Sequence, residues 1–383
     1  MSYKLTLFAM AMLAFAAAAQ AQTFTTLYNF TGAADGGYPF SGPIVVNGRV
    51  YGTTPNGGAD NDGVVYELNA SGAESVIYSF TGQPNGSGPD GSVIMDGKGN
   101  YYGTTPYGGA HGDGTVYVIT SSGTESVLYS FAGGTADGCY PQGGLLLHKG
   151  TLYGTTSNCG AHNEGVLFSV TTSGTERLLH SFAGGDSDGA YPYYAGLIVN
   201  AKTDLFYGVT EAGGSANDGV LYEMNKKGKV RVLWSFAGGT KDGCNAYGTP
   251  TFDKNYNLYG TTYACGASNY GTVWKVTQEG KKVKETILHS FAGAPNDGEN
   301  PINGVGLDAK GDIYGATESG GANSDGAVYE LSKNGKFTLL HSFDYSDGAY
   351  PYGLVFVEPN GDVYGTAHFG GTGSYGTVWA VKR

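Results

Sequence analysis

From residue 23 onward, short apolar runs alternate with polar, glycine-containing turns. The stretch from Val93 to Pro141 shows the pattern. Val93-Ile94-Met95 predicts a short strand, and Asp96-Gly97-Lys98-Gly99-Asn100 a hairpin turn. Tyr101 to Thr105 predicts a second strand, in which Gly103 allows a neighbouring group to approach closely. A loop from Pro106 to Asp113 carries Gly108-Gly109. Thr115 to Ile119 is a third strand, Ser121-Ser122-Gly123 a turn, and Glu125 to Phe131 a fourth strand. Ala132 to Pro141 then crosses to the next unit. Four strands joined in order by turns make a meander. After the N-terminal segment no stretch places apolar residues at helical spacing over about ten positions, so no helix is expected.

This unit recurs. Tyr51-Gly52-Thr53-Thr54 returns at Tyr102, Tyr153, Tyr207, Tyr259, Tyr314 and Tyr364, with spacings of 51, 51, 54, 52, 55 and 50 residues. Most copies also carry a Gly-Gly or Cys-Gly pair, a G-x-V-[YFW] run, a [YHW]-S-F run and an Asp-Gly step. A period of this length means a propeller or a solenoid. Unbroken apolar centres such as Val127-Leu128, Leu178-Leu179 and Leu339-Leu340 suit strands covered on both faces, as propeller blades are. A solenoid would also need capped ends. Here the first copy is preceded by an isolated fourth strand, Thr25 to Phe30, while the last copy stops after its third strand. The N-terminal strand can therefore complete the last blade and remove the open edge. The expectation is an all-β, seven-bladed β-propeller of four-stranded blades, closed by its first strand.

The [YHW]-S-F, D-G-x-x-P, G-x-x-Y-G-T-T-x-x-G-G and G-x-V-[YFW] elements resemble the GloVer tandem repeat of exported "choice-of-anchor" bacterial proteins. The resemblance covers Thr25 to Val381. It implies export and a repeat-built β fold, and it brings no reaction or catalytic residues to carry over. Members often end in a sorting or anchoring segment, whereas this sequence ends in the last blade.

Residues 1 to 21 have the character of a targeting segment: Lys4, an apolar run from Leu5 to Ala19, and a small-residue cleavage site at Ala19-Gln20-Ala21. Residues 22 to 383 are then one repeat domain, expected to be secreted or periplasmic, monomeric and without a membrane span after cleavage. The net charge of −12 shows no basic footprint for nucleic acid. The lysine runs at Lys226-Lys227-Gly228-Lys229 and Lys281-Lys282-Val283-Lys284 fall at equivalent positions between strands and read as solvated turns.

In a blade meander the loop after the second strand and the crossover after the fourth emerge on one face. Cys139 and Cys159 occupy these two positions in one copy, and Cys244 and Cys265 the same two in another. In an exported protein this joint variation predicts two disulfides, Cys139–Cys159 and Cys244–Cys265. The recurring Asp of each Asp-Gly step suits an Asx turn, and neither a metal site nor a cofactor is implied. His180, His289 and His341 share a strand position with tyrosines and read as packed residues.

The position directly after Y-G-T-T diverges into Glu211, Tyr263, Glu318 and His368, where other copies have Pro55, Pro106 and Ser157. These four are candidate polar contacts at a channel mouth, and ordinary solvated lining is the alternative. Crossover tyrosines are the other candidates: Tyr38, Tyr193, Tyr194, Tyr247 and Tyr352, with Tyr140, Tyr191 and Tyr350 singled out as ligand contacts. Aromatic faces edged by Asp, Asn and Gly suit a sugar ring, and wedging between blades is the competing role. The sequence thus points to an exported binding module for a glycan or a cell-surface protein. A polysaccharide lyase or hydrolase and a structural envelope protein are the alternatives.

Overall fold

Each repeat folds into a four-stranded antiparallel sheet around one cross-strand fit. The glycine of Y-G-T-T on the second strand sits opposite the large ring of G-x-V-[YFW] on the third: Gly103 opposite Tyr117, Gly154 opposite Phe168, Gly260 opposite Trp274. A Cβ on Gly103 would lie 2.3 Å from the Tyr117 hydroxyl oxygen, and one on Gly260 2.4 Å from the Trp274 ring. Glycine is needed here for space. The opposing rings are fully buried, and the hydroxyls of Tyr66, Tyr117, Tyr222 and Tyr329 find no partner among the described residues. Their role is apolar volume, which is why Phe168 and Trp379 serve equally well.

The structure, a computed structural model, describes residues 22–280 and 282–383. The targeting segment read from the sequence lies outside them. Blade 1 is built from Ile44–Val46, Arg49–Thr54, Val64–Leu68 and Glu74–Ser79, paired in that order. Blades 2 to 6 repeat this order. In blade 7, Phe356–Val357, Val363–Ala367 and Thr377–Lys382 are joined by the N-terminal strand Thr23–Asn29, which pairs antiparallel with Thr377–Lys382. Seven four-stranded sheets thus form a closed ring, as the orphan strand implied.

Neighbouring blades are tied by the first threonine of Y-G-T-T. Its hydroxyl donates to a carbonyl on the inner edge of the next blade: Thr53 to Gly91 (3.1 Å), Thr104 to Gly143 (3.1 Å), Thr155 to Ala195 (2.7 Å) and Thr261 to Asn303 (2.6 Å). Thr366 donates to Ser41 (2.8 Å), linking blade 7 to blade 1 across the closure. Blades 4 and 6 have Val209 and Ala316 at this position; at the first, Thr249 of blade 5 supplies a hydroxyl instead, accepting from the Gly196 N–H (2.9 Å). The second threonine turns back on its own loop, as Thr54 does to the Asn56 carbonyl (2.9 Å).

The outer strands carry a second coupling. The Tyr or His of [YHW]-S-F bonds the Asp of the following Asp-Gly step, as in Tyr129–Asp137 (2.9 Å), His180–Asp188 (2.9 Å) and His341–Asp347 (2.8 Å). The same aspartates accept backbone N–H groups of the crossover, for example Ala132 and Gly138 on Asp137. Where this position is Tyr28, Tyr78, Tyr129 or Trp234, the fourth strand of the next blade carries Glu74, Glu125, Glu176 or Glu285. Where it is His180, His289 or His341, the next blade offers Val230, Phe337 or Phe24 instead, and the last two stack on the imidazole at 4.2 and 3.5 Å. Burial, reinforced by the nearby Asp35, Asp137 and Asp242, lifts the carboxyls of Glu74, Glu176 and Glu285 to about 7.

Two predictions follow from these couplings. Deleting residues 22–31 leaves the third strand of blade 7 as an open apolar edge, and the truncated chain should aggregate or melt well below the parent. An unchanged melting temperature would contradict closure. A carboxyl whose pKa is raised on folding stabilises the fold while protonated, and that contribution is lost as pH rises from about 4.5 towards about 7. The melting temperature should therefore be higher at pH 5 than at pH 8. The triple variant Glu74→Gln, Glu176→Gln, Glu285→Gln should narrow that difference, whereas an unaltered pH dependence would show these groups to be uninvolved.

Candidate functional site

The face carrying the Y-G-T-T loops is built from one backbone arrangement used around the ring. The third residue after each crossover Asp or Asn has a left-handed backbone: Tyr38, Gly88, Tyr140, Tyr191, Asn245, Asn300 and Tyr350, with φ between 54° and 67°. Its N–H donates to a loop carbonyl of the preceding blade, as Tyr191 does to Glu164 (2.9 Å) and Tyr350 to Asp325 (2.8 Å). Its carbonyl accepts the N–H of the residue after Y-G-T-T: Ser157 on Tyr140, Glu211 on Tyr191, Tyr263 on Asn245, Glu318 on Asn300 and His368 on Tyr350. Pro55 and Pro106 have no N–H to give. The divergent rim position is thus fixed through its backbone in blades 3 to 7, leaving its side chain free to vary.

Glu211, Tyr263 and Glu318 come together. They line one cavity of about 420 Å³, whose other walls are Phe40, Tyr193, Tyr194, Tyr247, Ile302 and Tyr352. Five of those six occupy one place in the repeat, the second residue after the left-handed one, and in blades 2 and 3 the same place holds Asp90 and Gln142. The Tyr247 hydroxyl donates to Glu211 Oε1 at 2.8 Å. Tyr263 and Tyr352 both hydrogen-bond Glu318. Burial holds the Glu318 carboxyl above the usual carboxylate range, and burial together with the Glu318 charge pushes the hydroxyls of Tyr263 and Tyr352 up to about 12. The cavity therefore presents aromatic faces, two carboxyls and neutral phenols. Among the described residues no Lys or Arg lines it.

Tyr194 closes the floor. Blade 4 has one residue more than the other copies between its crossover proline and its first strand, and that residue is Tyr194, itself left-handed with φ 51°. Its ring meets that of Phe40, which enters from blade 1 across the axis, with centroids 4.5 Å apart. This aromatic plug separates the funnel from an axial cavity of about 210 Å³, and both rings line both spaces. Asp90 and Gln142 face the axial side, where burial lifts the Asp90 carboxyl to about 7 and the Gln142 amide bonds it.

The other sequence candidates lie elsewhere. His368 sits behind Tyr352 (ring centroids 5.0 Å apart) in a box completed by Tyr38, Phe40 and Phe369. Burial lowers its pKa to about 4, so the ring is neutral, and its buried Nδ1 has no partner among the described residues. It backs the cavity wall without lining the cavity. Tyr140, Tyr191 and Tyr350 are the left-handed linkers: Tyr140 packs against Tyr107 (5.8 Å), Tyr191 against Tyr193 (6.2 Å) and Tyr350 against Phe369 (5.9 Å). Phe40 and Ile302 escaped sequence reading. Aligning the residue after each crossover proline would have found them.

The cysteines form the two expected disulfides, Cys139–Cys159 and Cys244–Cys265, each with Cα atoms 5.4 Å apart. Each staples a crossover to the loop after Y-G-T-T, where short ribbons already pair Gly138 with Cys159 and Gly243 with Cys265. The second flanks the blade that carries Tyr263.

Fold and site together define an all-β seven-bladed propeller with a closed ring and an aromatic funnel on one face. The chain belongs to the Gloeobacter/Verrucomicrobia repeat family, whose profile matches residues 12–222 and again 193–383. No curated protein sequence matches it. Among solved structures it resembles a catalytically inactive variant of virginiamycin B lyase from Staphylococcus aureus with quinupristin, at 12% identity and a TM-score of 0.61, covering 94% of this chain and 100% of that one. It also resembles a 6-phosphogluconolactonase candidate from Bacteroides uniformis, at 14% identity and a TM-score of 0.55, covering 83% and 88%. A third likeness is to the extracellular domain of a hybrid two-component-system candidate from B. thetaiotaomicron, at 11% identity and a TM-score of 0.54, covering 94% and 41%. At such identities the likeness shows the fold alone.

The disulfides close loops of 20 and 21 residues, and each should contribute about 3 kcal/mol by chain-entropy reasoning. Reduction should lower the melting temperature clearly, and Cys139→Ser with Cys159→Ser should reproduce part of that loss. A melting temperature indifferent to reductant would show that the hydrogen-bonded ribbons suffice.

Proposed function

We propose that this protein is an exported carbohydrate-binding module whose funnel takes a neutral or amino sugar. The observation that carries the reading is the pairing, in one cavity, of aromatic faces from Phe40, Tyr193, Tyr194, Tyr247 and Tyr352 with the carboxyls of Glu211 and Glu318. A pyranose has apolar C–H faces that stack on such rings and a hydroxyl rim that carboxylates and phenols can bond. Two acids without a facing cation disfavour uronates and phosphosugars. Export is supported by the N-terminal targeting pattern and by two disulfides, which persist in oxidising compartments.

A second reading, a polysaccharide-active hydrolase or lyase, is favoured by one feature. Glu318 is a partly buried carboxyl with a raised pKa flanked by two phenols, an arrangement suited to general-acid work.

One experiment separates these readings. Titration calorimetry against neutral and amino-sugar oligosaccharides should show saturable binding to the parent. The pair Tyr247→Ala and Tyr352→Ala should weaken it by about tenfold or more, as loss of central aromatic contacts does. The melting temperature should shift by only a few degrees. Absence of binding, or unaltered binding by the variant, would defeat the proposal. Release of reducing or unsaturated ends by the parent, lost in Glu318→Gln, would favour the enzyme.

A further inference from the structure

On the opposite face, where the hairpin turns emerge, blades 5 and 6 part to leave a cleft of about 530 Å³. Its depth is apolar, formed by Leu288, Leu307, Ile313 and Leu331. Its mouth carries Lys254, Lys275, Lys310 and Lys333. These lysines come from four separate turns and strands, so no run in the sequence announces the cluster.

The cluster differs from its counterparts elsewhere in the ring. The Tyr of each Y-G-T-T pairs across to one position on the third strand. That position is Glu67 opposite Tyr51, Glu223 opposite Tyr207, Glu330 opposite Tyr314 and Lys275 opposite Tyr259, and in blades 2, 3 and 7 it is the uncharged Val118, Ser169 and Ala380. Each of the three glutamates is answered by an arginine: Arg49, Arg231 at 2.7 Å and Arg383 at 2.7 Å. Arg383 also lies over the Tyr314 ring at 5.3 Å, so blades 6 and 7 meet over a cation–acid pair.

Between blades 5 and 6 the charge is of opposite sign and unanswered. Lys275 Nζ stands 5.2 Å from the centre of the Tyr259 ring. Among the described residues neither Lys275 nor the other three lysines forms an ion pair within 4.0 Å. The carboxylates in the walls are engaged with their own turns, and Asp308 also faces the Arg383 guanidinium of blade 7 at 3.9 Å. Asp253 accepts the N–H groups of Asn255 (2.8 Å) and Asn257 (2.9 Å) and the Tyr259 hydroxyl (3.2 Å). Asp308 accepts those of Lys310 and Asp312, both at 2.9 Å. In a chain of net charge −12, four lysines against two carboxylates around one apolar cleft form a local exception.

We propose that this cleft binds a small amphipathic anion, an acyl chain ending in a carboxylate. The chain would lie along the leucine and isoleucine side chains, with the carboxylate held by Lys275 and the turn lysines. The volume falls in the range of sites for small ligands. A charge-assisted contact to Lys275 would be strengthened by its partly buried setting. The site is independent of the funnel and of the carbohydrate reading.

The test is calorimetric binding of decanoate, below its micelle concentration and at low salt, with decan-1-ol as the uncharged control. The parent should bind one equivalent of decanoate saturably and the alcohol at least about tenfold more weakly, the discrimination expected of a contact to a charged group. Lys275→Gln with Lys310→Gln should weaken decanoate by a similar factor. Lys310→Gln with Lys333→Gln, confined to exposed turns and matched to the parent in melting temperature, should weaken it in the same direction. Lys226→Gln with Lys227→Gln, on a turn of blade 4, should change nothing. The proposal falls if decanoate does not bind, if the alcohol binds equally well, or if the blade 4 variant weakens binding as much as the cleft variants do.

Discussion

A threonine hydroxyl donating to a carbonyl of the next blade ties five of the seven blade interfaces of the ring. It is buried, it recurs around the inner edge, and Thr366 to Ser41 carries it across the point where the chain closes on itself. Each such bond contributes only about 1 kcal/mol net, but an inner-edge carbonyl left without it would cost more. Blades 4 and 6 depart from it: Val209 and Ala316 carry no hydroxyl, and beside blade 4 Thr249 accepts from the Gly196 N–H, so that interface is bonded in the opposite sense. The glycine before each threonine has a different duty. It clears the volume that the opposing buried ring fills, so a single four-residue motif sets both the core of a blade and its bond to the next.

That division of labour explains how the same motif can end in chemistry. In blades 3 to 7 the residue after Y-G-T-T is held by its own N–H, bonded to the left-handed crossover residue, so its side chain is not needed for the architecture. Glu211, Tyr263 and Glu318 diverge at this place, and the ring symmetry brings them to one funnel. The crossover supplies the aromatic half of the wall from an equally repeated position. The inserted Tyr194 breaks the repeat, and with Phe40 it turns an open axial channel into a floored cup.

Much of this was legible in the sequence because repetition supplies an internal comparison. The blade number, the strand order, the closing strand and both disulfides could be read from positions that agree or vary together between copies. The convergence of Glu211, Tyr263 and Glu318 was legible for the same reason. His368 shares their position, yet its ring turns into the aromatic box of Tyr38, Phe40 and Phe369, a choice set by local packing that spacing does not encode. Tyr140, Tyr191 and Tyr350 stand out in the sequence as crossover aromatics edged by Asp, Asn and Gly, whereas their shared property is a left-handed backbone also met by Gly88 and Asn245. The lysine cleft was hidden because its members lie on four separate segments, and only the packing of blade 5 against blade 6 assembles them.

The central claim is that the cup above the Phe40–Tyr194 plug is where a sugar binds. A crystal structure of the protein soaked with a neutral or amino-sugar oligosaccharide tests it most directly. The account predicts a pyranose stacked on Tyr247 or Tyr352, with hydroxyls on Glu211 or Glu318. Sugar bound on the opposite face or between the outer strands, with the cup empty, would contradict it.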